Sequence, residues 1–369
     1  ITFQKNGIGL NPLVIAGVNH FAGGIMDGVI KIIGADYLNF DGIDIIENPL
    51  NTTFSPITTN NMTEFGFAFF YANPVATANG SKNNSIKNCT ITLNNIGTKY
   101  QNTFGVYATC LTSPTNGITL ASVTSAAGSN SNNKIYSTII NNANFGISII
   151  GSDTPAAMDE GWDVGGTSSA TGNTINNFGF GNGVATSLYQ KIGTSVQGIL
   201  LNQVSNHTIS NNTLTSIPGT TSTSVVMAGI VIGSNGTFVQ PSSNTSTCNF
   251  NTIQITNGLS ESSFGIWSRT GDNTSVKTIS DNTINIINTS TIAVTTKSTK
   301  GIVQDANIGE LNIMNNSVFI NYENSNNNHT IYFIQTDITT TIKRVISNNI
   351  LKTPLGKSLR TSGNAYGIS

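Results

Sequence analysis

Asn83-Asn84-Ser85-Ile86-Lys87-Asn88-Cys89-Thr90-Ile91 decides how this chain is read, because the same short phrase returns along most of its length. Its general form is Asn-Thr-Ile-x-Asn-Asn-Thr-Ile. The first Ile recurs at Ile86, Ile135, Ile175, Ile209, Ile253, Ile279, Ile313 and Ile346. Five residues later stand Ile91, Ile140, Phe180, Leu214, Ile284, Val318 and Leu351, with Gly258 breaking the series. Asn or Asp follows the first Ile by two places at Asn88, Asn177, Asn211, Asp281, Asn315 and Asn348, and residues 38–43 form a divergent copy. The phrase alternates apolar and polar residues and is too short for a helix, so it reads as two short strands. The Asn-Asn between them marks a bend, because Asn adopts left-handed backbone angles at low cost.

A second phrase, Gly followed by an apolar residue, alternates with the first. It appears at Gly66-Phe67, Gly105-Val106, Gly146-Ile147, Gly198-Ile199, Gly229-Ile230, Gly265-Ile266, Gly301-Ile302 and Gly367-Ile368, and Thr330-Ile331 fills the gap in that series. A unit of three short strands cannot bury its apolar face alone, but stacked copies bury a continuous column. The expected fold is therefore all-β: a right-handed parallel β-helix, or solenoid, of about nine to ten rungs with projecting loops. Nine rungs at the strand spacing would make a rod roughly 40–45 Å long. Residues 1–369 read as a single β-helix domain, with loops expected near 49–64, 113–132, 152–170, 182–195, 218–226 and 234–247. The chain stops just as another rung begins, so it reads as a segment of a longer polypeptide.

Composition agrees with stacking. Only 9% of the 369 residues are charged, against about 25% in ordinary soluble proteins. In a solenoid like lies over like, so a column of charge repels itself whereas Asn amides bond in a ladder. A net charge of −1 gives no basic patch for nucleic acid, and no apolar run is long enough to span a membrane. The three cysteines, Cys89, Cys110 and Cys248, fit no zinc spacing and read as buried thiols, with a Cys89–Cys110 bridge as the alternative.

The opening residues 1–7 (ITFQKNG), Asn11-Pro12-Leu13-Val14-Ile15, Asp27-Gly28-Val29-Ile30-Lys31-Ile32, residues 34–43 (GADYLNFDGI), the 83–91 phrase and Gly161-Trp162-Asp163-Val164-Gly165-Gly166 carry a resemblance. Together they resemble the right-handed β-helix (pectin-lyase-like) regions of large secreted proteins from Bacteroidetes. That resemblance covers essentially the whole chain. It implies export by the type IX secretion system, with its machinery as a transient partner, and a secreted or cell-surface location.

Enzymes on this fold usually cleave acidic polysaccharides, with clustered carboxylates or with Ca²⁺ and a basic residue. The sequence carries no Asn-Thr-Asp, Asp-Asp, Gly-His-Gly or Arg-Ile-Lys set, and Arg269, Arg344 and Arg360 show no carboxylate cluster at neighbouring rung positions. No catalytic residue is assigned, and no cofactor is implied other than Ca²⁺. The candidate Ca²⁺ ligands are Asp153, Asp159, Glu160 and Asp163 beside Trp162, read alternatively as a solvated loop. Asp36 and Asp41 read as turn residues and Asp44 as an outward strand residue. His20, His207 and His329 are too scattered for a metal or triad.

If the residue after each motif Gly points inward, the next points out. That outward column is Ala68, Tyr107, Ser148, Leu200, Val231, Trp267, Val303 and Tyr332. Tyr107, Trp267 and Tyr332 on one flat face would stack on sugar rings or on another rod; the alternative is cover by a loop. The leading expectation is a non-catalytic extracellular or cell-surface rod, adhesin- or stalk-like, whose partner is a polysaccharide or cell-surface glycan. The alternatives are a polysaccharide lyase or glycoside hydrolase acting on acidic polysaccharide, and a passive secretion cargo.

Overall fold

The computed structural model describes residues 1–18, 27–52, 61–72, 78–93, 103–112, 123–152, 154, 157–179, 195–217, 226–233, 245–257, 262–269, 274–289, 297–305, 308–322, 330–337, 343–354 and 365–368. Most of the loops expected near 182–195, 218–226 and 234–247, half of those near 49–64 and 113–132, and Asp153, Phe180, His20, His329 and Arg360 lie outside these residues. By contrast, 152–170 is largely described and carries short strands at Asp159–Glu160 and Asp163–Val164.

The chain coils into a right-handed parallel β-helix of three 10-stranded sheets. Each turn contributes one strand to each sheet, and every neighbouring pair in the three sheets is parallel. A two-stranded parallel ribbon joins Asp159–Glu160 to Val204–Ser205, and a 3-10 turn at Ala126–Gly128 is the one helical element among the described residues. None of the described helices is long and apolar enough to cross a membrane.

Strict register produces the core. In the first sheet one column runs Phe3, Phe40, Ile86, Ile135, Val164, Ile209, Cys248, Ile279, Ile313, Ile346. In the second sheet it runs Val14, Ile45, Ile91, Ile140, Ile175, Leu214, Ile253, Ile284, Val318, Leu351. Two assignments from the repeat are thereby corrected. Ile175 and Ile253 belong to the second sheet, and Val164 and Cys248 take their places in the first. The same Asn-Thr-Ile pattern serves both strand types, so counting from it slipped by one strand at these two rungs. With the slip removed, Ile253 stands in the second-sheet column and Gly258 no longer interrupts it.

The bend between the first two sheets has two Asn roles. The first residue is left-handed: Asn88, Asn211, Asp281, Asn315 and Asn348 have φ between +55 and +60°, and Phe250 occupies the same position at +55°. The second builds a ladder that is buried from Asn173 to Asn316 and half-buried at Asn349. Asn173 Nδ2 donates to Asn212 Oδ1 at 2.9 Å, and the relay continues through Asn251, Asn282, Asn316 and Asn349 at 2.9–3.0 Å. Each ladder oxygen also accepts the backbone N–H of the preceding Asn, and Asn282 Nδ2 reaches the Cys248 carbonyl at 2.9 Å. Buried polar groups are thus satisfied where a bend would otherwise leave them bare.

The motif Gly is a close-approach residue. A Cβ on Gly265 would lie 2.5 Å from the Gly301 carbonyl oxygen and 2.5 Å from Ile284 Cγ2, and the same pair of obstacles recurs along the column. The apolar residue after it runs inward as Ile30, Phe67, Val106, Ile147, Ile199, Ile230, Ile266, Ile302, Ile334. Here the assignment of Thr330-Ile331 is corrected: Ile302 pairs with Ile334, so Phe333 stands where the other rungs have Gly. All three cysteines are buried and free, and no Cys89–Cys110 bridge forms.

Candidate functional site

The third sheet differs from the others in being buried on both faces over much of its length. Every residue of Phe65–Tyr71 and of Phe145–Ile150 is buried. Its outward row does run Ala68, Tyr107, Ser148, Leu200, Val231, Trp267, Val303, but it ends at Gln335 rather than Tyr332. Tyr107 is 0% exposed, stacked on Phe65 at 4.8 Å and packed beside Phe104 at 4.9 Å. Burial pushes its phenol pKa up. Tyr107 therefore belongs to an interior aromatic layer, and the three aromatics expected on one flat face do not meet.

Toward the last rungs the outward face opens in part, with Phe264, Val303 and Gln335 still buried among neighbours that solvent reaches. Strands Ser263–Ser268, Ser298–Gln304 and Thr330–Thr336 lie side by side, and three outward rows cross them. The first row is Phe264, Lys300, Tyr332, and the second is Trp267, Val303, Gln335. The third begins just past the strands. Arg269 N donates to Ile232 O, Asp305 N to Ser268 O and Asp337 N to Gln304 O, which stacks Arg269, Asp305 and Asp337 on successive rungs. The expectation that no arginine neighbours rung-matched carboxylates is corrected by this column.

The grid is internally organised. Phe264 stacks on Trp267 at 4.1 Å and 18°, and the Arg269 guanidinium lies 3.8 Å from the Trp267 ring centre. Two groups so close to one ring centre must take opposite faces, so Trp267 is a filled wedge rather than an open stacking platform. Its indole N–H donates to Asp305 Oδ2. Lys300 Nζ sits 5.4 Å from the rings of both Phe264 and Tyr332. Gln335 Nε2 donates to both oxygens of Asp337, at 3.0 and 2.8 Å.

Solvent reaches the grid unevenly. Asp305 and Asp337 are exposed, while Trp267, Arg269, Lys300 and Tyr332 are half-buried. Desolvation lowers the Arg269 pKa to about 10 despite the charge of Asp305, and lowers that of Lys300 against the pull of Asp305 and Asp337. The Asp305 pKa is raised, first by desolvation and further by Asp337. The Trp267 hydrogen bond and the charges of Lys300 and Arg269 oppose the rise. The arrangement presents carboxylate acceptors outward on an aromatic and cationic bed.

The acidic segment offers no comparable convergence. Asp159 and Glu160 are adjacent on one short strand, so their side chains diverge. Asp159 is 0% exposed and accepts from Tyr71 Oη and from Asn130 N, both at 2.9 Å, whereas Glu160 is exposed. Asp163 accepts from Tyr136 Oη at 2.5 Å and from Gly166 N. Trp162 is buried, its Nε1 donating to Asn130 O at 2.7 Å. Among the described residues no three His, Cys, Asp or Glu side chains are placed to hold a metal ion.

Other titratable residues brace the backbone. Asp36 accepts from Lys82 N and Asp44 from Thr90 N. Asp41 pairs with Lys87 at 3.1 Å and Asn88 at 2.6 Å within an open polar recess that also involves Gln4, Lys5 and Asn11. His207 is buried with Nδ1 2.9 Å from Val204 O, and burial lowers its pKa to about 4. Arg344 is exposed on the first sheet.

No protein-family model matches this chain, and no curated protein matches it in sequence. Among solved structures it is similar to a GH136 lacto-N-biosidase from Eubacterium ramulus, at 12% identity over 95% of this chain and 57% of that one, with a TM-score of 0.45. It is also similar to PfbA, a surface adhesin of Streptococcus pneumoniae, at 14% identity over 97% of this chain and 79% of that one, with a TM-score of 0.42. The chain thus spans little more than half the length of the lacto-N-biosidase. Neither likeness assigns a residue or an activity to this protein.

Proposed function

We propose that this protein is a non-catalytic, secreted or cell-surface β-helical rod that binds glycan through the outward grid of its last rungs. One observation carries the reading: Arg269, Asp305 and Asp337 line up on successive rungs beside Trp267, Lys300, Tyr332 and Gln335. A rod needs no such assembly for stability, since its inward columns supply the core. Fixed hydrogen-bonding groups beside an aromatic edge, here Tyr332, are features of a sugar site. The pectin-lyase-like resemblance supports export by the type IX secretion system and an adhesive or stalk-like role outside the cell. A glycan array tests the proposal: the protein is expected to bind, and Arg269→Ala with Trp267→Ala to abolish that binding. Absence of binding across the array would leave the passive-cargo reading.

A second reading, hydrolysis or elimination on acidic polysaccharide, is favoured by one feature. Asp305 and Asp337 lie on adjacent rungs, and the Asp305 pKa is raised. A pair of neighbouring carboxylates, one of them with a raised pKa, is the usual means of glycoside cleavage. Incubation with acidic polysaccharides, with and without Ca²⁺, separates the readings; reducing or unsaturated products would replace the binding proposal with an enzymatic one.

A further inference from the structure

The charges of the grid bear on which glycan it takes, an inference that rests on the binding role proposed above. Two cations, Arg269 and Lys300, face two anions, Asp305 and Asp337, so the site has no net charge. The cations are committed inward. Arg269 lies flat on Trp267, and Lys300 sits between Phe264 and Tyr332, with both carboxylates within electrostatic reach of Lys300. Both are half-buried, and a ligand anion would have to draw them from aromatic faces and from carboxylates already present. The carboxylates are the groups that solvent reaches. Asp337 is held by Gln335 through both oxygens, and Asp305 by the Trp267 indole, so their orientation is set before a ligand arrives.

Rung stacking spaces the backbones that carry these carboxylates at about 4.8 Å. Fixed acceptors on successive rungs suit a run of hydroxyl donors, and they repel a uronate or sialate carboxylate at close quarters. Tyr332, half-buried beside Lys300, adds an aromatic edge on the same rung as Gln335 and Asp337. We infer that the Arg269–Asp305–Asp337 column with Trp267 and Tyr332 selects an uncharged, hydroxyl-rich saccharide, which hydrogen-bonds to the two exposed carboxylates, and rejects acidic polysaccharide.

The test is calorimetric titration of the protein with neutral oligosaccharides, such as galactose- and N-acetylhexosamine-containing ones, against uronic-acid and sialylated ones, at low and high salt. Neutral ligands are expected to bind with affinity nearly independent of salt, because no net charge is neutralised. Asp337→Asn, an exposed and conservative change, is expected to weaken that binding about tenfold or more, the scale of a charge-assisted hydrogen bond. Asp305→Asn is expected to act in the same direction. Salt-sensitive binding of acidic glycans alone would overturn the inference and leave the glycan-binding role standing. Failure to bind either class would overturn both. Neutral binding unchanged in both Asn variants would show that the site lies elsewhere and also refute the assignment.

Discussion

Replacing Asn282 by Ala removes the middle of the buried ladder. Asn282 is 1% exposed, and its side chain takes part in four hydrogen bonds. Its Oδ1 accepts from Asn251 N and Asn251 Nδ2, both at 3.0 Å, and its Nδ2 donates to Cys248 O and Asn316 Oδ1, both at 2.9 Å. Two of those partners are cushioned, because Asn251 Nδ2 keeps Ile209 O and Asn316 Oδ1 keeps Asn282 N. The Asn251 N–H and the Cys248 carbonyl lose their ladder partner while buried. Each such loss costs about 1–3 kcal/mol, so Asn282→Ala is expected to cost about 2–6 kcal/mol. Against domain stabilities of about 5–15 kcal/mol that is a large fraction. Chemical denaturation measures the loss, and hydrogen exchange locates it, since damage to a solenoid spreads through neighbouring rungs. Asn315→Gly is the control: Asn315 is exposed at φ +57°, an angle Gly accepts, and its amide makes one bond, to Asp281 at 3.2 Å. A cost below about 0.5 kcal/mol for Asn282→Ala, well under the range for a stranded buried group, or an equal cost for Asn315→Gly, would refute this account of the ladder.

Three further outcomes follow from the same geometry. Gly265→Ala is expected to destabilise by about 3 kcal/mol or more, because its Cβ would strike the Gly301 carbonyl at 2.5 Å. Gly9→Ala, with nothing within 4 Å, is expected to be silent in the same melt. Phe250→Asn is expected to stabilise by about 0.5–1 kcal/mol, since Phe250 is 55% exposed and held at φ +55°, where Asn is at home; a lower melting temperature would contradict this. His207 has a pKa lowered to about 4 by burial, with Lys277 adding to the shift. Its neutral form is the folded form, so its contribution is complete above pH 6.5 and is lost as pH falls toward 4. That amounts to about 3 kcal/mol. In His207→Gln protein the fall in stability across that window should flatten, and an unchanged slope would count against it.

Much of the fold was legible because stacking imposes the same demand on every rung. The Ile columns, the left-handed Asn and the close-packed Gly were all visible in the repeated phrases. The reading slipped at Ile175 and Ile253 because first- and second-sheet strands share one short alternation. The signal that separates them is the ladder Asn, which stands two residues before Ile175, Leu214, Ile253, Ile284, Val318 and Leu351. The site was less legible. Arg269, Asp305 and Asp337 each stand three residues after an inward Ile, at Ile266, Ile302 and Ile334. That register is hidden unless Phe333 is accepted in a position that other rungs give to Gly. Tyr107 misled for a different reason. Alternation foretells which face a residue takes, but not whether that face is covered, and Phe65, Phe70 and Phe104 pack round the Tyr107 ring.

The most direct test of the central claim is a crystal structure of the protein grown with a neutral oligosaccharide. The account expects sugar hydroxyls on the Asp305 and Asp337 carboxylates, with Trp267 still wedged between Phe264 and Arg269. A sugar seated elsewhere on the rod, or Asp305 and Asp337 out of register with Arg269, would contradict it.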